Sequence, residues 1–171
     1  MMVASLAVVR CIEIVTSLRS EIKWPNDVLI DGKKVCGILI ENDVRADRGN
    51  YAIIGIGINV NLNVADFPEI RSTATSLSYE LGEEVSCLGL VRCLFSEIEL
   101  LYLASSAGEA VYKQWQQRLI TLGKKVQATS ATGETTLTGI AESTDRDGSL
   151  WLRLDDGTLT RVITGDVTLN E

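Results

Sequence analysis

The sequence predicts an α+β protein: a partial mixed or antiparallel sheet packed on helices, followed by a small antiparallel β-barrel. Three observations carry that class. Apolar residues in 3–18 and again in 86–103 recur with the period of a helix face. An Asp31-Gly32 pair sits between two apolar runs, the mark of a two-residue hairpin whose central positions need positive φ. Past Leu122-Gly123 the chain changes to short alternating runs broken by glycine turns.

Taken in order, Val3, Leu6, Ala7, Ile14, Val15 and Leu18 define the apolar face of a first helix, which should lie on a sheet. Residues 22–24 and 28–30 are β-branched or aromatic, and 28–30 should pair antiparallel with 33–41. Residues 42–50 are charged and turn-rich, as an exposed hairpin loop would be. Residues 51–60 are apolar almost throughout, which predicts a central strand covered on both faces. From 61 to 75 periodicity is lost, so a long loop is expected, of the kind that often serves as a binding lid. Leu90, Leu94, Ile98, Leu101 and Tyr102 then mark a second helix, and a shorter one follows around 111–119. The barrel strands are expected at 126–128, 136–140, 150–154 and 159–163, with turns at Thr132-Gly133, Asp147-Gly148 and Asp156-Gly157. The boundary falls near 121, dividing the chain into 1–121 and 122–171.

With 171 residues and 46% apolar content, the chain can bury a substantial core. Its net charge of −7 disfavours non-specific attraction to phosphate backbones or anionic lipid, so no nucleic-acid or membrane partner is expected. There is no histidine, so proton transfer must rest on carboxylates, Lys, Tyr, Cys or the substrate. Cys11, Cys36, Cys87 and Cys93 lack zinc-ligand spacings and read as buried reduced thiols; no metal site is expected. The apolar opening is interrupted by Arg10 and Glu13 and has no small-residue cleavage site, which predicts a helix of a cytoplasmic protein.

The segment Lys23-Trp24-Pro25-Asn26-Asp27 places polar groups and a rigid proline between two strand-like stretches. By itself it fits a strand-ending turn closed by an Asx hydrogen bond. In Gly55-Ile56-Gly57-Ile58-Asn59 the glycines permit close approach of a flat apolar ligand, or mark a bulge with no ligand. Lys33-Lys34 beside Asp31-Gly32 reads locally as solvated surface.

Together with Lys34-Val35-Cys36-Gly37-Ile38-Leu39 and 74–77, and in this order and spacing, these stretches resemble the biotin protein ligase family. The resemblance runs through the terminal barrel. It implies a class II synthetase-like first part, the C-terminal portion of the catalytic domain over 1–121, and an SH3-like barrel over 122–171. It implies ATP-dependent formation of biotinyl-5′-adenylate and transfer of biotin to a lysine of a biotin carboxyl-carrier domain, with Mg²⁺ accompanying ATP. By the same resemblance Lys34 meets the biotin carboxylate and the adenylate phosphate, and Asp27 orients the incoming lysine amine or takes its proton. Asn26 holds the turn or touches the adenylate. Gly37, Leu39, Gly55, Ile56, Gly57 and Ile58 belong to the biotin pocket, Asn59 to its rim, and Ala74 and Thr75 to the surroundings of adenine. Strict alternation from Lys34 puts Leu39 on the opposite face, and a bulge near Gly37 would reconcile the two.

Family members carry a Gly- and Arg-rich loop before the matched region, and no Gly-Arg-Gly-like segment occurs in these 171 residues. A truncated ligase of low activity is therefore expected, with a raw sheet edge inviting a homodimer. Two other functions fit the residues: a non-catalytic biotin- or adenylate-binding module, and an adaptor whose barrel binds a protein through a strand edge.

Overall fold

The computed structural model describes residues 1–45, 49–104, 108–129, 135–163 and 165–169. The first helix, α1, spans Met2–Thr16 and ends where Ser17 takes a left-handed conformation with φ 60 and its N–H bonds the Glu13 carbonyl. It buries Ala4, Leu6, Ala7, Val8, Val9, Cys11 and Ile12. Ile14 and Val15, expected on the buried face, are exposed. Helix α1 packs against the sheet and two later helices and is apolar nearly all round, and in its last turn Thr16 is buried while Ile14 and Val15 face outward.

Four strands follow: β1 (Glu21–Lys23), β2 (Asp27–Ile30), β3 (Lys33–Arg45) and β4 (Gly49–Ile58), paired antiparallel in the order β1-β2-β3-β4. The β2–β3 hairpin turns on Asp31 and Gly32, at φ 47 and 78, as the Asp-Gly pair requires. No ladder in this sheet is parallel among the described residues; parallel pairing is confined to the isolated bridges Ile22–Leu119 and Lys34–Ala74. Two expectations are corrected here. The loop placed at 42–50 is mostly strand, because ladder hydrogen bonds form through the backbone whatever the side chains; only 46–48 lie outside the described residues. And β4 is an edge strand, with Tyr51, Ile53 and Ile54 exposed, rather than a central strand covered on both faces.

The segment after β4 holds a short 3₁₀ helix at Val64–Asp66, where a featureless loop was expected. A one-turn helix, α2 (Leu77–Leu81), is capped by Ser76, whose hydroxyl accepts from the Tyr79 N–H at 3.2 Å, and ends at Gly82 with φ 76. Helix α3 (Cys87–Ala104) buries Leu90, Glu97 and Leu101, and Glu97 is paired with Arg10 at 3.2 Å. Tyr102, expected on the buried face of α3, is exposed. Helix α4 (Gly108–Gln117) buries Val111 and Trp115.

The second sheet comprises β5 (Lys125–Thr129), β6 (Thr136–Thr144), β7 (Leu150–Leu154), β8 (Leu159–Val162) and β9 (Asp166–Leu169), in the order β8-β7-β6-β5-β9, all antiparallel and barrel-like. Gly148 and Gly157 make the expected turns at φ 90 and 84; the Thr132-Gly133 turn lies outside the described residues. Strand β9, Asp166–Leu169, was not expected from the sequence. One core joins the sheets: Val126, Leu150, Leu152 and Val167 belong to the same buried cluster as Ile12, Val28 and Ile38. Trp24 ties the junction, its backbone N–H donating to Thr121 Oγ1 at 2.9 Å and its indole N–H to the Gly148 carbonyl at 2.8 Å. All four cysteines are free; Cys11 and Cys36 are buried, but Cys87 is exposed and Cys93 half-buried, against the expectation that all four are buried. No described helix is long and apolar enough to cross a membrane.

Candidate active site

The site grows from a defect in one ladder. Between β2 and β3 the register shifts, Val28 facing Cys36 and Leu29 facing Lys34, so Val35 is the extra residue of a bulge. Val35, Cys36 and Ile38 are buried, whereas Lys34, Gly37 and Leu39 lie on the other face. The bulge expected near Gly37 thus sits two residues earlier and brings Lys34 onto the face of Gly37 and Leu39. The contact is close: a Cβ on Gly37 would stand 3.1 Å from Lys34 Cε and 3.3 Å from Nζ.

The ammonium of Lys34 is held 2.6 Å from Asp27 Oδ1, and Asp27 is 9% exposed. Lys23 approaches the same carboxylate from the other side, 3.9 Å from Oδ2. The sequence reading missed Lys23, although its i, i+4 spacing to Asp27 was visible. Behind the pair, burial and then the Asp27 charge push the Cys36 thiol up to about 12, with Lys34 opposing.

Gly37 pairs with Gly57 and Leu39 with Gly55, so three glycines on adjacent strands give one face of the sheet a floor without side chains. Asn26, 37–39 and 55–57 line a hollow of about 500 Å³ over it. The β3–β4 ladder is continuous from Cys36–Ile58 to Arg45–Gly49, so these glycines mark no bulge. A Cβ at Gly55 or Gly57 would meet nothing closer than 3.9 or 3.8 Å, so folding does not demand glycine at either place. A second hollow of about 360 Å³ shares Asn26, Ile38 and Leu39 and reaches Trp24, Trp115 and the 147–149 turn. A larger one, about 620 Å³, is walled by charged groups such as Glu13, Arg19 and Arg118 and has no comparable floor.

The remaining expected residues divide into those that face the hollow and those that build it. Asn26 donates from Nδ2 to the Ile38 carbonyl at 2.9 Å and accepts the Ile38 N–H at 3.0 Å, which latches the Trp-Pro turn to β3. Asn59 donates to the Thr75 carbonyl at 3.0 Å while its own carbonyl accepts the Leu77 N–H at 3.0 Å. The segment so held pairs with Lys34: the Lys34 N–H donates to Thr73 at 2.8 Å, and the Thr75 N–H to the Lys34 carbonyl at 2.9 Å. Ala74 forms the bridge between them. Two expected contacts are not displayed. Thr75 is fully buried with its hydroxyl on Glu80 at 2.5 Å, and Ile58, opposite Cys36, packs partly buried against the core. Ile56 borders the hollow but lies opposite Ile38, on the core-facing side.

An ammonium fixed by a buried carboxylate beside an uncharged, side-chain-free floor can bind an acidic group attached to a flat apolar body and offset charge developing on it. In the barrel, Lys125 pairs with Asp155 at 3.3 Å, and Arg161 pairs with Asp145 at 3.4 Å and donates at 2.8 Å to the Ser149 hydroxyl, whose residue lines the second hollow.

Residues 1–59 match the family model described as the Biotin/lipoate A/B protein ligase family, and residues 121–169 match the Biotin protein ligase C terminal domain. The chain is 35% identical over 171 residues to the Bifunctional ligase/repressor BirA of Bacillus subtilis, covering 98% of this chain and 52% of that protein. It is 33% identical over 141 residues to the Biotin--[acetyl-CoA-carboxylase] ligase of Paracoccus denitrificans, covering 79% of this chain and 57% of that one. Among solved structures it resembles the biotin protein ligase from Aquifex aeolicus in complex with biotin and ATP, with a TM-score of 0.81 and 26% identity over 99% of this chain and 69% of that one. The chain spans about half the length of the curated relatives it matches.

Proposed function

Because this chain belongs to the biotin protein ligase family, we propose that its glycine-floored hollow receives biotin and that Lys34 stands where the biotin carboxylate meets the α-phosphate of ATP. The observation that carries the reading is the Lys34 ammonium lying over Gly37, anchored on Asp27, on the face that Gly37, Gly55 and Gly57 keep clear.

In the first half-reaction a carboxylate oxygen of biotin attacks the α-phosphorus and pyrophosphate leaves; Lys34 neutralises the two anions as they approach. In the second, the lysine amine of a carrier domain attacks the acyl carbonyl, the bond to AMP breaks, and Asp27 orients that amine and accepts its proton. The acceptor proposed is the biotin carboxyl-carrier domain of a biotin-dependent carboxylase, in line with the printed name of the Paracoccus relative. Asn59, Ala74 and Thr75 act through their backbone segment, which sets the height of Lys34 and borders the adenine. Mg²⁺ is proposed to enter with ATP. No nucleic-acid partner is proposed for a chain of net charge −7. We place the reaction in the cytoplasm, in keeping with four free thiols. Residues 1–121 and 122–171 are proposed as catalytic part and barrel. The outer edge of β4, which ends the sheet order, is proposed as the place where a homodimer could form.

These residues carry no Gly-Arg-Gly-like segment, so by themselves they should bind but turn over slowly. Each missing phosphate contact is worth roughly 2–4 kcal/mol at such a centre. Calorimetry with biotin and with a non-hydrolysable biotinyl-adenylate analogue tests the site: the analogue should bind more tightly, and Lys34→Ala should erase most of the difference. Binding of neither ligand would refute the pocket. Robust biotinylation of a carrier domain by the 171 residues with biotin and ATP would refute the slow-turnover clause alone.

A further inference from the structure

The first sheet sets one residue from each strand in a single row: Lys23 on β1 pairs with Asp27 on β2, Asp27 with Gly37 on β3, and Gly37 with Gly57 on β4. Residues paired in this way point to the same face, so the Lys23 ammonium stands at the end of the row that runs into the glycine floor.

The two ammoniums on Asp27 are unlike. Lys34 stands 2.6 Å from Oδ1 with its side chain 47% exposed, whereas Lys23 stands 3.9 Å from Oδ2 with its side chain 20% exposed. Oδ1 is buried and makes no aligned hydrogen bond among the described residues, so Lys34 is attached by charge and not by direction. Glu21, two residues before Lys23 on β1, is approached by Arg19 at 3.9 Å, which leaves Lys23 to Asp27.

This asymmetry has a use in the two half-reactions. When Lys34 turns to offset the anions of biotin and ATP, it no longer covers Asp27 as fully. A buried carboxylate stripped of its partner is strongly unfavourable, and with no second cation Asp27 would follow the ammonium out of place. Lys23, on a flexible four-carbon stem, needs only to close its gap to the roughly 2.8 Å of a close charged pair. We infer that Lys23 is a positioning residue for Asp27, the cation that keeps this carboxylate charged and in place for the incoming amine while Lys34 serves the ligand. The inference rests on the ligase reading for the step it serves and on the row alone for the contact.

Urea unfolding at pH 7 tests the contact without ligand or turnover. Lys23→Met and Lys34→Met should each change the unfolding constant by no more than about threefold, since either cation still covers Asp27. The doubly substituted chain should lose at least about tenfold more than the product of the two effects, and Asp27→Asn added to it should remove that excess. Independent effects overturn the inference, and so does a doubly substituted chain that Asp27→Asn does not rescue. Single-turnover transfer from pre-formed biotinyl-5′-adenylate to a carrier domain, which bypasses the ATP step, tests the role in the reaction. Lys23→Met should slow transfer at saturating carrier by about tenfold and hold the affinity for the non-hydrolysable analogue within about twofold, whereas Lys23→Arg should keep most of the rate. A loss shared equally by Lys23→Arg, or a Lys23→Met chain as fast as the unmodified one, overturns the positioning role. If the unmodified chain neither binds the analogue nor transfers biotin, the ligase reading has failed, and the unfolding cycle still decides whether Lys23 holds Asp27.

Discussion

At the scale of the residue, Gly57 separates a structural use from a functional one. Folding leaves room for a methyl there, since a Cβ would meet no atom nearer than the Gly37 carbonyl at 3.8 Å. Gly57→Ala should therefore keep the melting temperature within a few degrees, yet place a methyl in the hollow and weaken biotin by about tenfold, read by calorimetry. Unchanged affinity would show that the floor holds no ligand. Gly37→Ala acts differently, because its methyl would press on the far end of Lys34 at 3.1 Å. Moving that ammonium should weaken the adenylate analogue more than biotin.

Cys36 and Cys11, each pushed up mainly by burial to about 12, also belong to this scale. The sign follows from the direction of the shift: below the ordinary thiol value of 9.0 both states hold the proton, and above it only the unfolded chain releases it. Their contribution to stability is complete below about pH 9 and declines as pH rises toward 12, by up to about 1.4 kcal/mol per pH unit for each thiol. Denaturant unfolding followed between pH 8 and 11 should steepen in this way, and Cys36→Ala should flatten the slope. An identical slope in that variant would place the alkaline loss elsewhere.

At the scale of the element, the β6–β7 ladder leaves no room at Gly139. A Cβ there would stand 2.5 Å from the Arg153 carbonyl oxygen, a backbone atom that cannot swing aside. Gly139→Ala should destabilise the chain by about 1–3 kcal/mol in thermal or urea unfolding. A loss below half a kcal/mol would mean that the ladder opens more easily than its pairing implies. Elements were legible where local chemistry dictates them. Asp31-Gly32, Gly148 and Gly157 gave their turns, and helical period gave α1, α3 and α4. Helix α2 escaped because five residues are too few to show a helical period, whereas β9 escaped although it is no shorter than β2 and β8. The β3–β4 extension escaped because its ladder runs through polar residues.

At the scale of the whole molecule, the two sheets behave as one body. Trp24 is buried at their junction, and Tyr112 donates its hydroxyl to the Thr144 carbonyl at 2.5 Å across the same seam. Unfolding followed by tryptophan fluorescence and by far-ultraviolet circular dichroism should therefore coincide in one transition. Trp24→Phe, which keeps an aromatic ring but leaves the Gly148 carbonyl without its donor, should lower that transition by about 1–2 kcal/mol without splitting it. Two separated transitions would show that the sheets fold independently.

The chain's own order of residues settled the family, the α+β class, the hairpin and the set of side chains from which a site could be made, because turns, periods and motif spacings are local properties. Folding alone decided which of those side chains meet. A one-residue bulge at Val35 carries Lys34 to the side of Gly37, while Ile58 and Thr75 point into the protein. The same holds for β4, whose apolar run predicts a strand but not its neighbours, so that only the sheet order reveals it as an edge. Burial and facing depend on contacts between residues far apart in the chain, and no local pattern encodes them.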